Sequence, residues 1–285
     1  MSKVAIVTDS TAYIPASMMH GHNISVAPLQ VIWGEKTYLD GIEIQPSQFY
    51  EQLKTAKVMP TTSQTTPAAF EAVYRNLIES GHDIFSIHIS SKLSGTLDSA
   101  IQAKSAFPGA KIELFDSEAT SMALGFQVLA VARAVEQGAT LEECVAVAKK
   151  ALPLTGVLFV VSTLEFLHRG GRIGGAAAFL GTALNLKPIL ELRDGKIEAI
   201  ERVRTMGKAT DRVLELLEDR IGKRTPVRLA ALHANAPQEA GVLLERVRES
   251  YHVSDVREAF ITEVSPVIGV HAGPGTVGIA YMAGM

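Results

Sequence analysis

The sequence predicts a two-domain α/β protein: an N-terminal, mainly parallel sheet with flanking helices, then a C-terminal α+β domain with a mixed or antiparallel sheet. Three observations carry this. In the first half, short apolar runs alternate with helix-periodic stretches, the pattern of strands joined by crossover helices. In the second half, Pro188 to Ile200 reads as two alternating runs joined through Asp194-Gly195, the strongest short hairpin signal, so antiparallel pairing enters there. At 285 residues the chain is also long for one core, and Pro153 and Gly156 suggest a division into domains 1–155 and 156–285 with a cleft between them.

The first strand is expected at Lys3 to Asp9, where Val4-Ala5-Ile6-Val7 is a buried-strand run with no room before it for an export signal. Ile24 to Ile32 is expected as a strand, and Trp33 to Gly41, with glycine near both ends and no helical period, as a small hairpin excursion. Thr66-Pro67 is an N-cap and first-turn pair opening a helix whose Phe70, Val73, Tyr74, Leu77 and Ile78 share one face. Strands are expected at Asp83 to Ser90 and Lys111 to Asp116, and helices at Met122 to Val135 and Leu141 to Leu152, the latter opened by the capping box Thr140-x-x-Glu143. Cys144 lies on that helix's apolar face and reads as core rather than nucleophile.

The second domain opens with a strand at Val157 to Val161, a helix begun by the capping box Ser162-x-x-Glu165, and the glycine-rich turn His168-Arg169-Gly170-Gly171-Arg172. The uncharged segment Ile173 to Leu186, with Phe179, Leu180 and Leu184, is expected to pack against the first domain or to wall an apolar pocket. After the hairpin, helices around Ala209 to Ile221 and Pro237 to Ser250 and strands at Val227 to His233, Val256 to Ile261 and Val277 to Met282 complete the layer.

Composition narrows the function. Hydrophobic residues make up 47% and charged residues 20%, and no uncharged stretch is apolar for long enough to span a membrane. The net charge of −3 provides no basic field for a phosphate backbone, so nucleic acid is not an expected partner. A single cysteine and no export signal point to the cytoplasm. There is no Walker A loop, GxSxG elbow, HExxH or CxxC, and His20-Gly21-His22 lacks a third ligand nearby, so neither metal nor cofactor is expected.

Five short segments carry chemistry. Ser90 to Thr96, SSKLSGT, is a strand, a hydroxyl-rich turn and a helix start, where free backbone amides and the helix dipole favour an anion; alternatively, Ser94 only caps the helix and Gly95 only eases the turn. Pro60 to Pro67 has more hydroxyls than a cap needs, which makes Thr62 a candidate ligand donor. His271 to Gly278 contains GxGxxG, but no helix or acidic partner follows, so the dinucleotide reading fails. It reads instead as a tight loop carrying His271 and backbone amides into a cleft. Asp9-Ser10-Thr11 stands where a switch-point site would, or caps the next helix, and Arg169, Arg172, Arg202 and Arg204 suit a phosphate or a partner's carboxylates, or a solvated face.

Taken together, VTDST (residues 7–11), PTTSQ (60–64), SSKLSGT (90–96), HRGGRIGG (168–175) and HAGPGTVG (271–278) resemble the DegV family along the whole chain. This family resembles, or includes, the fatty-acid-binding subunits that bacterial fatty-acid kinases use. The resemblance implies one long-chain fatty acid bound between two domains, its carboxylate held by Thr62, by Ser94 with the Gly95 amide, and by His271, while a separate kinase supplies the phosphoryl chemistry. Burying a chain of about 16 carbons at about 0.8 kcal/mol per methylene is worth roughly 12 kcal/mol before ordering costs. Desolvating the carboxylate costs several kcal/mol, and at about 1.5–3 kcal/mol per hydrogen bond about three donors are needed, here neutral ones rather than arginine. The competing expectation is an acyl hydrolase or transferase using Ser94 with His271, and a weaker one is a regulatory protein with lipid as effector.

Overall fold

The computed structural model describes residues 3–181 and 186–285. Its first part runs β1 (Lys3–Asp9), α1 (Ala16–Met19), β2 (Ile24–Ala27), β3 (Gln30–Trp33), β4 (Lys36–Leu39), α2 (Pro46–Lys54), β5 (Thr61–Ser63), α3 (Pro67–Glu79), β6 (His82–His88), α4 (Thr96–Lys104), β7 (Ile112–Asp116), α5 (Ser121–Glu136) and α6 (Leu141–Ala151). Strands β2, β1, β6 and β7, in that order, form a fully parallel sheet. Parallel strands are covered on both faces, which is why β1 is buried from Val4 through Asp9 without alternation.

Two expectations are corrected here. Ile24 to Ile32 is not one strand: the chain breaks at Pro28-Leu29, and β3 leaves the parallel sheet for a small antiparallel one ordered β4-β3-β5. Proline has no amide hydrogen for a ladder, and Leu29 N–H instead donates to Ser10 Oγ at 3.1 Å. Thr62 therefore stands on a short strand opposite Val31 rather than in a loop. The hairpin at Trp33 is real, with Trp33 paired to Lys36.

The second part contains β8 (Thr155–Val160), α7 (Glu165–Arg169), β9 (Lys187–Arg193), β10 (Lys196–Val203), α8 (Met206–Ile221), β11 (Val227–His233), α9 (Pro237–Glu249), β12 (Val256–Glu263), α10 (Pro266–Ala272) and β13 (Val277–Ala283). They build a mixed six-stranded sheet ordered β10-β9-β8-β13-β11-β12, in which only β11 and β12 pair in parallel among the described strands. Asp194 and Gly195 both have positive φ, 50° and 74°, as a two-residue hairpin turn matched to strand twist requires. The Ser162-x-x-Glu165 capping box does not form: α7 starts one residue after Leu164, and Glu165 N–H donates to Thr163 Oγ1 at 3.2 Å. Residues 174–179 form a 3-10 turn packed on β10, where Ala176 shares a small core with Ile197 and Leu190. Leu184 lies outside the described residues.

Helix α5 joins the two parts. It is buried without interruption from Ser121 to Leu129, because one side packs on β1 and the other on β8, β11 and β13. A helix covered all round needs no polar face, hence the run Met122-Ala123-Leu124-Gly125-Phe126. One hydrophobic cluster accordingly spans both sheets, with Ile6 and Phe85 in contact through it with Leu232 and Met282. Each large apolar side chain buried this way contributes about 1.5–3 kcal/mol.

Candidate functional site

A cavity of about 250 Å³ lies between the two sheets. Its wall is mainly apolar, with Leu29 and Ile89 from the first part facing Val157, Phe159, Leu192 and Leu232 from the second. The polar residues of the lining are Thr62, Ser63, Gln64, Ser94, Thr120, Ser121, Arg172, His271 and Thr276. An apolar enclosure with a few convergent polar groups is the usual form of a small-molecule site.

The polar cluster is built by four elements. β5 presents Thr62, and Thr62 Oγ1 shares a hydrogen bond of 2.8 Å with His271 Nε2. His271 sits in the last turn of α10, a helix opened by Ser265 and Pro266. The sequence reading of a loop around His271 is thus corrected: the tight turn begins only after it, at Gly273 with φ 77°. Burial, reinforced by the neighbouring Arg172 charge, pulls the His271 imidazole down to about 4, so the ring is neutral at physiological pH. Its Nδ1 has no hydrogen-bond partner.

The glycine-rich turn explains itself against that ring. A Cβ on Gly170 would collide with His271 Nδ1, so this position accepts no side chain while His271 keeps its place. Arg172 follows, donating from Nε to Leu93 O at 3.0 Å and from Nη1 to Gly170 O at 2.7 Å. It thereby fastens the SSKLSGT turn to the second part of the chain. Arg172 lines the cavity itself, so the site is not made of neutral donors alone, as the sequence reading expected.

Ser94 lines the same cavity, with its Oγ 2.9 Å from Thr96 Oγ1. Gly95 is the N-cap of α4 and lies against Gln64, whose Nε2 donates to Ser99 Oγ at 2.8 Å. Gln64, not Gly95, forms the cavity wall at this point. Arg202 stacks over the Phe179 ring at 4.5 Å and Arg204 is exposed beyond the end of β10; neither lines the cavity. The hydroxyl beside His271 is Thr62 and not Ser94, so the pair expected of a hydrolase is not assembled.

Asp9, Ser10 and Thr11 are consumed by the fold. The Asp9 carboxylate accepts from Thr11 N–H at 3.1 Å and Ile89 N–H at 2.8 Å and meets His88 at 3.2 Å; His88 in turn bonds Ser86 at 2.7 Å. This buried Ser–His–Asp chain has the residue types of a catalytic triad, yet all three side chains are sealed inside the parallel sheet. His22 meets Glu136 at 2.8 Å, and among the described residues no group of three or more potential metal ligands gathers. Sequence reading missed Thr120 and Ser121, which look like routine caps before an apolar helix.

Fold and site together define an α/β protein of two main sheets and a small antiparallel third, enclosing an amphipathic cavity between its halves. The DegV family profile matches residues 3–284, and the chain belongs to the DegV family. It is 43% identical over 277 residues to a DegV domain-containing protein of Streptomyces coelicolor, covering 97% of each chain. It superimposes with a TM-score of 0.93 on a Thermus thermophilus structure described as fatty acid binding of a DegV family protein, at 38% identity and 99% coverage of both chains. The Bacillus subtilis DegV structure, described as a fatty acid binding protein, gives a TM-score of 0.89 at 36% identity, covering 99% of this chain and 100% of that one. Among the described residues no helix is long and apolar enough to cross a membrane.

Proposed function

We propose that the protein binds one long-chain fatty acid in the cavity between its sheets and presents it to a separate fatty-acid kinase for acyl phosphate formation. The observation that carries the reading is an apolar cavity whose polar groups include Thr62 bonded to His271, with Ser94 and Arg172 on the same lining. Ser94 donates to the carboxylate through its hydroxyl, and His271 Nε2–H donates to Thr62 Oγ1, which frees the Thr62 hydroxyl hydrogen for the carboxylate. The N-terminus of α4 lies behind Gln64 and adds its helix-terminal field, and Arg172 adds a fixed positive charge. The fatty-acid-binding relatives in Thermus thermophilus and Bacillus subtilis support the ligand class. Arg202 and Arg204, on and just past the edge strand β10, are the candidate contacts for the kinase or its phosphate donor. The unpaired, buried Cys144 suits work in the reducing cytoplasm.

Native mass spectrometry of the purified protein tests the ligand, with one intact fatty acid per chain expected and an empty cavity after palmitate addition counting against it. Thr62→Ala and Ser94→Ala should each weaken binding by about 1–3 kcal/mol, the scale of a hydrogen bond to a charged group lost from a buried site. Unchanged dissociation constants for both variants would remove the clamp. Acyl phosphate formed only when a competent kinase is added tests presentation; none formed would leave a binding protein without that partner.

A further inference from the structure

We propose that Ser90 and Lys92 are positioning residues for the carboxylate donor Ser94, and that they act by docking its turn onto the tip of the β9–β10 hairpin. The proposal deepens the fatty-acid reading above and rests on it.

The turn from Ser90 to Ser94 is organised by its first residue. Ser90 O accepts from Leu93 N–H at 2.9 Å and from Ser94 N–H at 3.1 Å, so the place of Ser90 sets the place of Ser94. Its hydroxyl oxygen closes the turn from inside, accepting from Lys92 N–H at 3.2 Å. These bonds satisfy the turn locally, as serine does in many turns. The hydroxyl hydrogen of Ser90 is left over, and it is donated across the seam to Gly195 O at 2.8 Å.

The acceptor belongs to the hairpin tip. Lys92 Nζ donates to the adjacent Asp194 O at 2.6 Å, so both tip carbonyls are taken by one turn of the first part. Leu93 O accepts from Arg172, and Ser90, Lys92 and Leu93 thus each bond to the second part directly before Ser94. Gly195 is fitted to the contact: besides its positive φ of 74°, a Cβ there would collide with Ser90 Oγ. The tip needs this support, because β9 pairs with β8 only from Ile189 to Glu191.

Neither Ser90 nor Lys92 lines the cavity, whereas Ser94, Arg172 and the hairpin residues Leu192 and Ile197 do. Ser90 is fully buried and Lys92 is exposed. Their effect on a ligand therefore passes through the groups they hold. A hydroxyl donor keeps the full worth of its hydrogen bond only when it already stands where the carboxylate arrives; a mobile one loses part of it to ordering.

The test is a double-mutant cycle of palmitate dissociation constants, measured by displacement of a bound fluorescent fatty acid from wild type, Ser90→Ala, Ser94→Ala and the double variant. Ser90→Ala should weaken palmitate binding about fivefold or more, without exceeding the loss in Ser94→Ala. In the Ser94→Ala background the same change should cost less than about twofold, because the group it positions is gone. Lys92→Met, an exposed change that keeps the stem and removes the donor, carries the same cycle should Ser90→Ala not fold, with about threefold expected when Ser94 is present. Equal losses in both backgrounds would overturn the proposal by showing a general loosening of the fold, while leaving fatty-acid binding intact. Unchanged affinity in Ser90→Ala and Lys92→Met would overturn it as well. If palmitate does not bind the wild type, the reading beneath the proposal falls with it.

Discussion

Gly170 shows how a single missing side chain defines the site. Its α-carbon is pressed so closely against the His271 ring that a methyl group there displaces the imidazole from Thr62. Gly170→Ala should therefore cost fatty-acid affinity by about 1–3 kcal/mol, the scale of overpacking a tight contact, with little change in secondary structure by circular dichroism. His271 itself predicts a proton linkage. Its imidazole titrates near 4 in the folded protein against 6.5 unperturbed, so its neutral form adds stability that is full above pH 6.5 and lost as pH falls toward 4. A bound carboxylate reverses the balance by favouring the imidazolium. Calorimetry at about pH 5.5 in two buffers of different ionisation enthalpy should show more proton uptake on binding by the wild type than by His271→Gln. Equal uptake would mean that the carboxylate does not reach the ring. Thr62, Ser94 and His271 were all legible as residues, since hydroxyls in excess of capping needs and a histidine before Gly-Pro-Gly stand out in one dimension. Their pairing was not: Thr62 meets His271 across 209 positions of sequence, a contact that only the packing of β5 against α10 creates.

Helix α10 is held at both ends, and its lower fastening titrates. Val267 N–H in its first turn donates to Asp40 at 3.2 Å, and Ser10 Oγ donates to the same carboxyl at 2.6 Å. Burial outweighs these bonds and pushes the Asp40 carboxyl up to about 7. A carboxyl whose folded pKa is raised binds a proton that the unfolded chain has already released, so its contribution is full below about pH 4 and lost as pH rises through about 7. Urea unfolding should show the wild type losing about 1.4 kcal/mol per pH unit more than Asp40→Asn between about pH 4.5 and 6.5. Parallel curves would show that Asp40 is ionised throughout. At this scale the strands of the parallel sheet, α3, α6 and the Asp-Gly hairpin were legible because each carries a local signature: a period, a cap or a turn pair. Helix α10 was not, since seven residues bearing Gly269 and ending at Gly273 offer little period, and the helix exists because its apolar face packs on α2 and β3. The break after Ala27 was missed although Pro28 marks it, because Val26-Ala27 and Val31-Ile32 on either side read as one apolar run across the change of sheet.

The whole molecule behaves as two sheets around a common wall. The α/β class with a parallel first sheet and a mixed second one follows from sequence, but the sharing of α5 does not, because an all-round apolar helix is equally compatible with either core. That sharing predicts a single cooperative unfolding transition: Trp33 fluorescence, which reports the first part, and far-ultraviolet circular dichroism should give coincident midpoints. Two separated transitions would show that the halves are independent. The cavity interrupts this common core with Ile89 on one side and Leu232 on the other, so on the proposed reading a bound fatty acid would complete the packing that α5 begins. Saturating ligand at about 100 times its dissociation constant should then add about 2.7 kcal/mol to stability. Arg172, tied to Leu93 O across the seam, gives the arrangement a further meaning. On the carrier reading proposed above, the cargo would be an interior part of the protein, and its release would require the two parts to separate along the Arg172 seam.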